Sequence, residues 1–262
     1  MSSKREREHE RRRVEKWQER QARAKAVRRR RTVIGGSIGG VIVLVAAVAM
    51  AIAVSDRSPA AAPTSSPTPT ASASVQALDL SPRTGNGGKV PDKSLAQNRT
   101  WTGTITTNRG TIGIELYGDK APQAVANFVE LAKEGYFDKT KCHRLDTSIK
   151  VLQCGDPTAT GTGGPGYSWG PIENAPADGV YPKGTLAMAR VANDASSMGS
   201  QFFLTYADTT IASDSVGGYT VFGKVTSGLD VLQAIADGGT VQVGNQFTAP
   251  ASDVIIEGVK TQ

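Results

Sequence analysis

Between Thr32 and Val54 the chain runs for 23 residues without one charged side chain. Val33, Ile34, Ile38, Val41, Ile42, Val43, Leu44, Val45 and Val48 make the run strongly apolar. As a helix it spans roughly 30 Å of hydrocarbon, enough to cross a bilayer once. Arg28-Arg29-Arg30-Arg31 precede it, while Asp56 and Arg57 follow it. The side richer in Lys and Arg stays in the cytoplasm. Residues 1–31 are therefore expected in the cytoplasm and everything after Val54 outside, a single-pass arrangement in the cell membrane. A cleaved signal peptide is the alternative, with Ala51-Ile52-Ala53 as a small-residue cleavage site. Its apolar region would exceed the usual 7–15 residues.

This span divides the charge unevenly. Residues 1–31 hold 14 of the 30 Lys and Arg and 5 of the 24 Asp and Glu. The net +6 of the chain thus hides a folded part that is slightly acidic. The basic tail is explained by the span and by anionic lipid, and it is not read as a nucleic-acid arm. Residues 55–97 are rich in Pro, Ala, Ser and Thr and are expected to form a linker. The folded domain is expected over 98–262.

Within that domain, Trp101–Thr107 and Thr111–Tyr117 are β-rich, and Asn108-Arg109-Gly110 supplies turn chemistry between them, which predicts a hairpin. Pro122 opens a helix with Val125, Phe128, Val129 and Ala132 at helical spacing. Further strands are expected at 141–145, 150–154, 185–190, 201–206 and 219–225. A second helix carries Leu229, Leu232, Ile235 and Ala236, and a last strand covers Asp253–Val259. Many short strands with two helices predict a mainly-β fold, a closed antiparallel barrel capped by helices.

The chemistry is narrowed by what is missing. Only His9 and His143 are histidines, so a Ser-His-Asp triad would have to use His143. A Cys142–His143 dyad is poor, because neighbouring strand residues point to opposite faces. A zinc site would lack closely spaced ligand pairs. Gly161-Thr-Gly-Gly-Pro-Gly166 fits a dinucleotide fingerprint in letters, but Pro165, Tyr167, Trp169 and Pro171 are loop composition where a helix should begin.

Six segments, in order, carry a resemblance. They are Cys142-His-Arg-Leu145, Gln153-Cys-Gly-Asp156, Gly161-Thr-Gly-Gly164, Gly184-Thr-Leu-Ala-Met-Ala189, Gly199-Ser-Gln-Phe-Phe-Leu204 and Tyr219-Thr-Val-Phe-Gly-Lys-Val225. Residues 101–262 resemble the cyclophilin family of peptidyl-prolyl cis–trans isomerases, in a membrane-anchored form like that of actinobacteria. The resemblance implies an eight-stranded barrel with two helices, no cofactor and no metal, and proline-containing polypeptide clients outside the cytoplasm. It places Arg144 at the family's catalytic position, where a guanidinium donates a hydrogen bond without proton exchange. It makes Phe203 the floor of a proline pocket, with Met188 and Val151 as apolar wall. Gln153 and Gln201 become substrate-binding glutamines, and Ala189 and Arg190 grip the substrate strand through main-chain groups.

The chain also departs from the family. Lys150 sits where an aromatic pocket residue is usual, and Arg190 replaces an Asn. Ile211 stands for a frequent Trp and Tyr219 for a frequent His, both in the binding site. These changes imply weak or no cyclosporin binding. They also leave open a proline-peptide-binding or chaperone-like module with little turnover, favoured if Lys150 fills the pocket. A surface-interaction module on the same scaffold is a third reading. Cys142 and Cys154 flank the strands bearing Arg144 and Gln153. If those strands pair, their outer ends meet, and a disulfide needs Cα atoms about 4.4–6.8 Å apart. Two free buried thiols are the other reading.

Overall fold

The structure, a computed structural model, describes residues 78–244 and 247–262. The basic tail, the apolar run at 32–54 and residues 55–77 of the linker lie outside the described residues. Among the described residues no helix is long and apolar enough to cross a membrane.

Strands β1 (Thr100–Thr107) and β2 (Gly110–Tyr117) form a hairpin in register from Thr107↔Gly110 to Thr100↔Tyr117. Ile112, Ile114 and Leu116 alternate into the core, as a period of two requires. The turn is fastened by Asn108, whose Nδ2 donates to the Asp253 carbonyl and whose Oδ1 accepts from the Ile255 N–H. Helix α1 (Pro122–Lys133) starts with Pro122 in its first turn and buries Val125, Phe128, Val129 and Ala132. Helix α2 (Leu229–Asp237) follows Gly228, which sits at φ 82°; a Cβ there would lie 2.5 Å from the Thr111 carbonyl oxygen. Glycine is therefore required at that corner.

The other strands are β3 (Thr140–Lys141), β4 (Arg144–Asp146), β5 (Val151–Cys154), β6 (Val180–Tyr181), β7 (Thr185–Met188), β8 (Phe202–Thr205), β9 (Thr209–Thr210), β10 (Val221–Ser227), β11 (Thr240–Val243), β12 (Phe247–Pro250) and β13 (Ile255–Thr261). Among the described residues, nine of the thirteen strands make one antiparallel sheet in the order β3-β13-β1-β2-β10-β7-β8-β5-β4. This corrects the expected closed eight-stranded barrel. The curved sheet is a half-barrel whose two end strands, β3 and β4, do not pair with each other. The segment 141–145, expected as one strand, is split between those ends. Cys142 and His143 carry the chain from one edge to the other, and the Cys142 N–H still donates to the Val254 carbonyl. The outer edge of β4 is covered instead by the β11–β12 hairpin, through Thr248 Oγ1 to the Leu145 carbonyl at 2.6 Å.

Residues 78–97, expected as linker, are packed on the domain. The Asp79 N–H donates to the Lys139 carbonyl, and Arg83 Nη1 donates to the carbonyls of Tyr136 and Asp138, each at 2.7 Å. Ala96 is fully buried, and its carbonyl accepts from Trp101 Nε1 at 2.9 Å. The segment is held by main-chain and arginine hydrogen bonds, which leave no apolar periodicity in the sequence.

Two apolar clusters result from strand alternation. The main core lies under α1, where Phe128 meets Phe202 and Phe222 with ring centroids 5.3 Å apart. The smaller cluster joins Val151, Tyr181, Ala187, Phe203 and Ile211. Phe202 and Phe203 are neighbours on β8 and point into different clusters, one through each face of the sheet.

Candidate active site

The pairing of β4 with β5 sets Arg144 opposite Gln153. β5 also pairs with β8, which sets Gln153 opposite Phe203. Three functional side-chain types thus lie side by side on one face, although they are up to 59 residues apart in sequence. Leu145, Leu152 and Phe202 occupy the opposite face and are buried in the main core.

A continuous line of hydrogen bonds crosses these strands. Arg144 Nη1 donates to Gln153 Oε1 at 3.1 Å. Gln153 Nε2 donates to Gln201 Oε1 at 2.8 Å. Gln201 Nε2 donates to the carbonyls of Gly161 and Gly163, at 3.1 and 2.9 Å. Each amide uses its carbonyl toward the arginine and its NH₂ away from it, so the orientation of both glutamines follows from the network. At the other end, Arg144 Nη2 is ion-paired with Asp146. Burial alone would raise the Asp146 carboxyl, but hydrogen bonds from Ser148 and Ile149 and the Arg144 charge hold it below its usual value. The arginine side chain remains 32% exposed, so its guanidinium is aimed by two partners while still open to the groove.

The glycine-rich loop that ends this line is folded around Asp156. Its carboxylate accepts from the N–H groups of Thr158, Thr160, Gly161 and Gly163. A Cβ on Gly163 would collide with Asp156 Oδ1. These bonds keep the Asp156 carboxyl below its usual range, against the desolvation that would raise it. The loop's role is thereby to present two carbonyls to Gln201.

Beside the line lies the smaller apolar cluster. Phe203 is nearly buried, 4% exposed, against Val151, Ala187, Tyr181 and Ile211. Tyr219 stands edge-on to Phe203, with ring centroids 5.5 Å apart, and its N–H donates to Tyr181 Oη. Ala189 packs at the margin, and its N–H donates to the Gln201 carbonyl. A cavity of about 370 Å³ adjoins the cluster, lined by Gln153, Gly163, Ala189, Arg190, Val191 and Gln201 among others.

Two expectations need correction. Met188 does not line the pocket. It is buried in the main core opposite Phe202, and its neighbour Ala187 faces Phe203. The run Leu186-Ala-Met-Ala189 has no polar residue to mark the phase of the strand. Lys150 does not fill the pocket either. It takes a positive φ of 53°, is exposed, and directs Nζ to the Asp208 carbonyl. Ile149, one residue earlier, packs on the Phe203 cluster. Three further residues were missed: Ile149, Tyr181 and Asp146. Asp146 was legible as a carboxylate two residues from the arginine on one strand face.

Cys142 and Cys154 are joined by a disulfide, with Cα atoms 3.9 Å apart, closer than the expected range. His143, between the bridge and Arg144, is buried, and neither ring nitrogen has a hydrogen-bond partner. Burial pushes its pKa down to about 4, against the opposing pull of the Asp156 charge.

Residues 102–261 match the family model for cyclophilin type peptidyl-prolyl cis-trans isomerase/CLD. The chain is 40% identical over 186 residues to a probable peptidyl-prolyl cis-trans isomerase B of Mycobacterium leprae, covering 66% of this chain and 59% of that protein. It is 41% identical over 156 residues to a peptidyl-prolyl cis-trans isomerase of Helicobacter pylori, covering 59% of this chain and 90% of that protein. The chain thus spans about three fifths of the length of its mycobacterial relative. A crystal structure of a Cryptosporidium parvum cyclophilin type peptidyl-prolyl cis-trans isomerase is similar with a TM-score of 0.51 and 27% identity, covering 63% of this chain and 98% of the other.

Proposed function

Because the chain belongs to the cyclophilin-type peptidyl-prolyl cis-trans isomerase family, we propose that it catalyses rotation about X-Pro bonds of polypeptides outside the cytoplasm and so assists their folding. The carrying observation is the half-buried Arg144 guanidinium, fixed between Gln153 and Asp146 beside the Phe203 cluster.

Amide resonance sets a barrier of ~18–20 kcal/mol to this rotation. The uncatalysed reaction takes roughly 10–100 s. Reaching on the order of 10³ turnovers per second requires lowering the barrier by about 6–7 kcal/mol. Resonance is lost in the twisted state, and the prolyl nitrogen becomes pyramidal and gains a lone pair. A guanidinium N–H aimed at that lone pair binds the twisted state and has no such partner in either planar isomer. This is stabilisation of the transition state alone. Phe203, Val151, Ile149 and Tyr219 hold the proline ring, and Gln153 and Gln201 keep the arginine from swinging away. Main-chain groups of Ala189 and Arg190 hold the peptide strand.

The binding-only reading drew on a lysine in the pocket, and Lys150 points elsewhere. An extracytoplasmic, membrane-tethered location is supported by the basic residues before Thr32 and by the disulfide, which belongs to oxidising compartments. Ile211 in place of an aromatic residue supports weak or no cyclosporin binding.

The test is a protease-coupled assay on a proline tetrapeptide, with the full chain in detergent. Arg144→Ala is expected to lower kcat/KM at least tenfold with an unchanged circular dichroism spectrum. Equal activity in both proteins overturns the role of Arg144; absent activity in the wild type overturns the isomerase reading.

A further inference from the structure

Arg190 lines the 370 Å³ cavity, but its guanidinium is turned inward and its side chain is only 1% exposed. Nη1 and Nη2 donate to the two carboxylate oxygens of Asp214, at 2.7 and 3.0 Å, a bidentate fork. Nε donates to the Gly218 carbonyl at 3.0 Å, Nη2 to the Gly217 carbonyl at 2.6 Å, and Nη1 to the Val191 carbonyl at 3.2 Å. The guanidinium also stacks on the Tyr219 ring, 4.8 Å from its centroid. Asp214 in turn accepts from the N–H groups of Asn193 and Val216. Asn193 Oδ1 accepts from Ser215 Oγ at 2.8 Å.

These contacts fasten two loops together. The loop 190–199 contributes Arg190, Val191, Ser197 and Gly199 to the cavity wall. The loop 211–219 begins with Ile211 and ends with Tyr219, both against Phe203. The buried Arg190 charge would be costly to leave without a partner, and the part-exposed Asp214 supplies one, so the fork is not a casual surface pair. A role confined to loop stability would not need the stack on Tyr219. That ring is the point where the fork reaches the proline pocket.

We infer that Arg190 and Asp214 form a positioning clasp, which fixes the spacing between the proline pocket and the adjoining cavity and so selects substrates by residues flanking proline. The inference rests on reading the Phe203 cluster as the proline pocket. The arginine acts through Tyr219 and the loop; its side chain does not touch the peptide. The hydrogen bonds from Arg190 hold the Asp214 carboxyl far below its ordinary range, so the clasp stays closed in acid. A peptide that reaches both pocket and cavity must match the fixed spacing. A short peptide in the pocket alone need not.

The experiment compares a proline tetrapeptide with an octapeptide carrying the same central sequence, on the full chain in detergent. Both Kd, by titration, and kcat and KM, by the coupled assay, are measured. Asp214→Asn is expected to raise Kd and KM for the octapeptide about fivefold, with less than twofold change for the tetrapeptide and kcat within twofold. Arg190→Lys keeps the charge but loses the fork, and is expected to raise the octapeptide Kd by the same factor. It serves as the second variant if Asp214→Asn fails to fold. The double variant is expected to lose no more than either single one. Equal factors for both peptides, no change in either, or additive losses overturn the clasp. If the wild type turns over neither peptide, the isomerase reading fails, and the Kd comparison still decides the clasp.

Discussion

The wall of the groove that carries Arg144 and Gln153 is fixed by a covalent bridge and an unbroken line of hydrogen bonds, whereas the wall that carries Ile211 and Tyr219 has no covalent bridge and is fixed by one ion pair, its hydrogen bonds to loop main chain and aromatic edges. In the proposed reaction the first wall bears the group that meets the reacting nitrogen, where an error in position of one ångström weakens catalysis sharply. The second meets only the outline of the substrate, where small displacements change affinity and selectivity. Apart from Lys150, the first wall also matches the family segments closely, and the second holds the departures at Arg190, Ile211 and Tyr219.

The bridge offers the largest test of this contrast. It closes a loop with a sequence separation of 12, worth about 3 kcal/mol in the chain-entropy account of crosslinks. Replacing both residues, Cys142→Ala with Cys154→Ala, is expected to lower the unfolding free energy by that amount, read from urea midpoints. Activity is expected to fall through kcat, because Arg144 and Gln153 lose register, with KM little changed. A loss that appears in KM alone would place the bridge's effect on the other wall and break the comparison.

Much of the first wall was legible because its short motifs carry the family resemblance. The hairpin at 101–117 and the helix at Pro122 followed from local pattern, whereas Phe203 came from the family resemblance. Three things were not legible. The split of 141–145 between the two ends of the sheet depends on strands over a hundred residues away in sequence, and no local pattern records it. The β11–β12 hairpin escaped because Thr240–Val243 are all exposed, so that no buried face marks a period. Residues 78–97 read as linker because Asp79, Arg83 and Gly85 attach by hydrogen bonds to main chain, a kind of packing without an apolar signature.

His143 gives a second, smaller test of the bridged wall. Its pKa falls from an ordinary 6.5 to about 4 in the folded protein. The unfolded chain therefore binds the proton more readily between those values. Stability is full above pH 6.5 and is lost as the pH falls toward 4. By pH 5 about 2 kcal/mol is expected to have gone, relative to pH 7. Asp156, also depressed, contributes stability that is lost only below its ordinary value of 3.8, so it does not confuse the upper window. Urea midpoints from pH 7 to 5 should show the decline, and His143→Leu should flatten it. A slope that persists in His143→Leu would assign the acid sensitivity elsewhere. The opposite wall contributes nothing in this range, because the Asp214 carboxyl is held far below it.

The finest test concerns the turn between the paired strands β4 and β5. Lys150 and Ile149 are adjacent, and only one can face Phe203. The positive φ at Lys150 turns its side chain out toward Asp208, which leaves Ile149 on the apolar cluster. Lys150→Ala is expected to change tetrapeptide affinity by less than twofold, and Ile149→Ala to weaken it about threefold, since part of one apolar wall is removed. Titration of the same tetrapeptide against both variants checks the pair. The reverse order would mean that the turn is offset by one residue. The lysine would then stand in the pocket as a second cation beside Arg144, and the turn would lose the apolar contact by which Ile149 now joins the first wall to the Phe203 cluster.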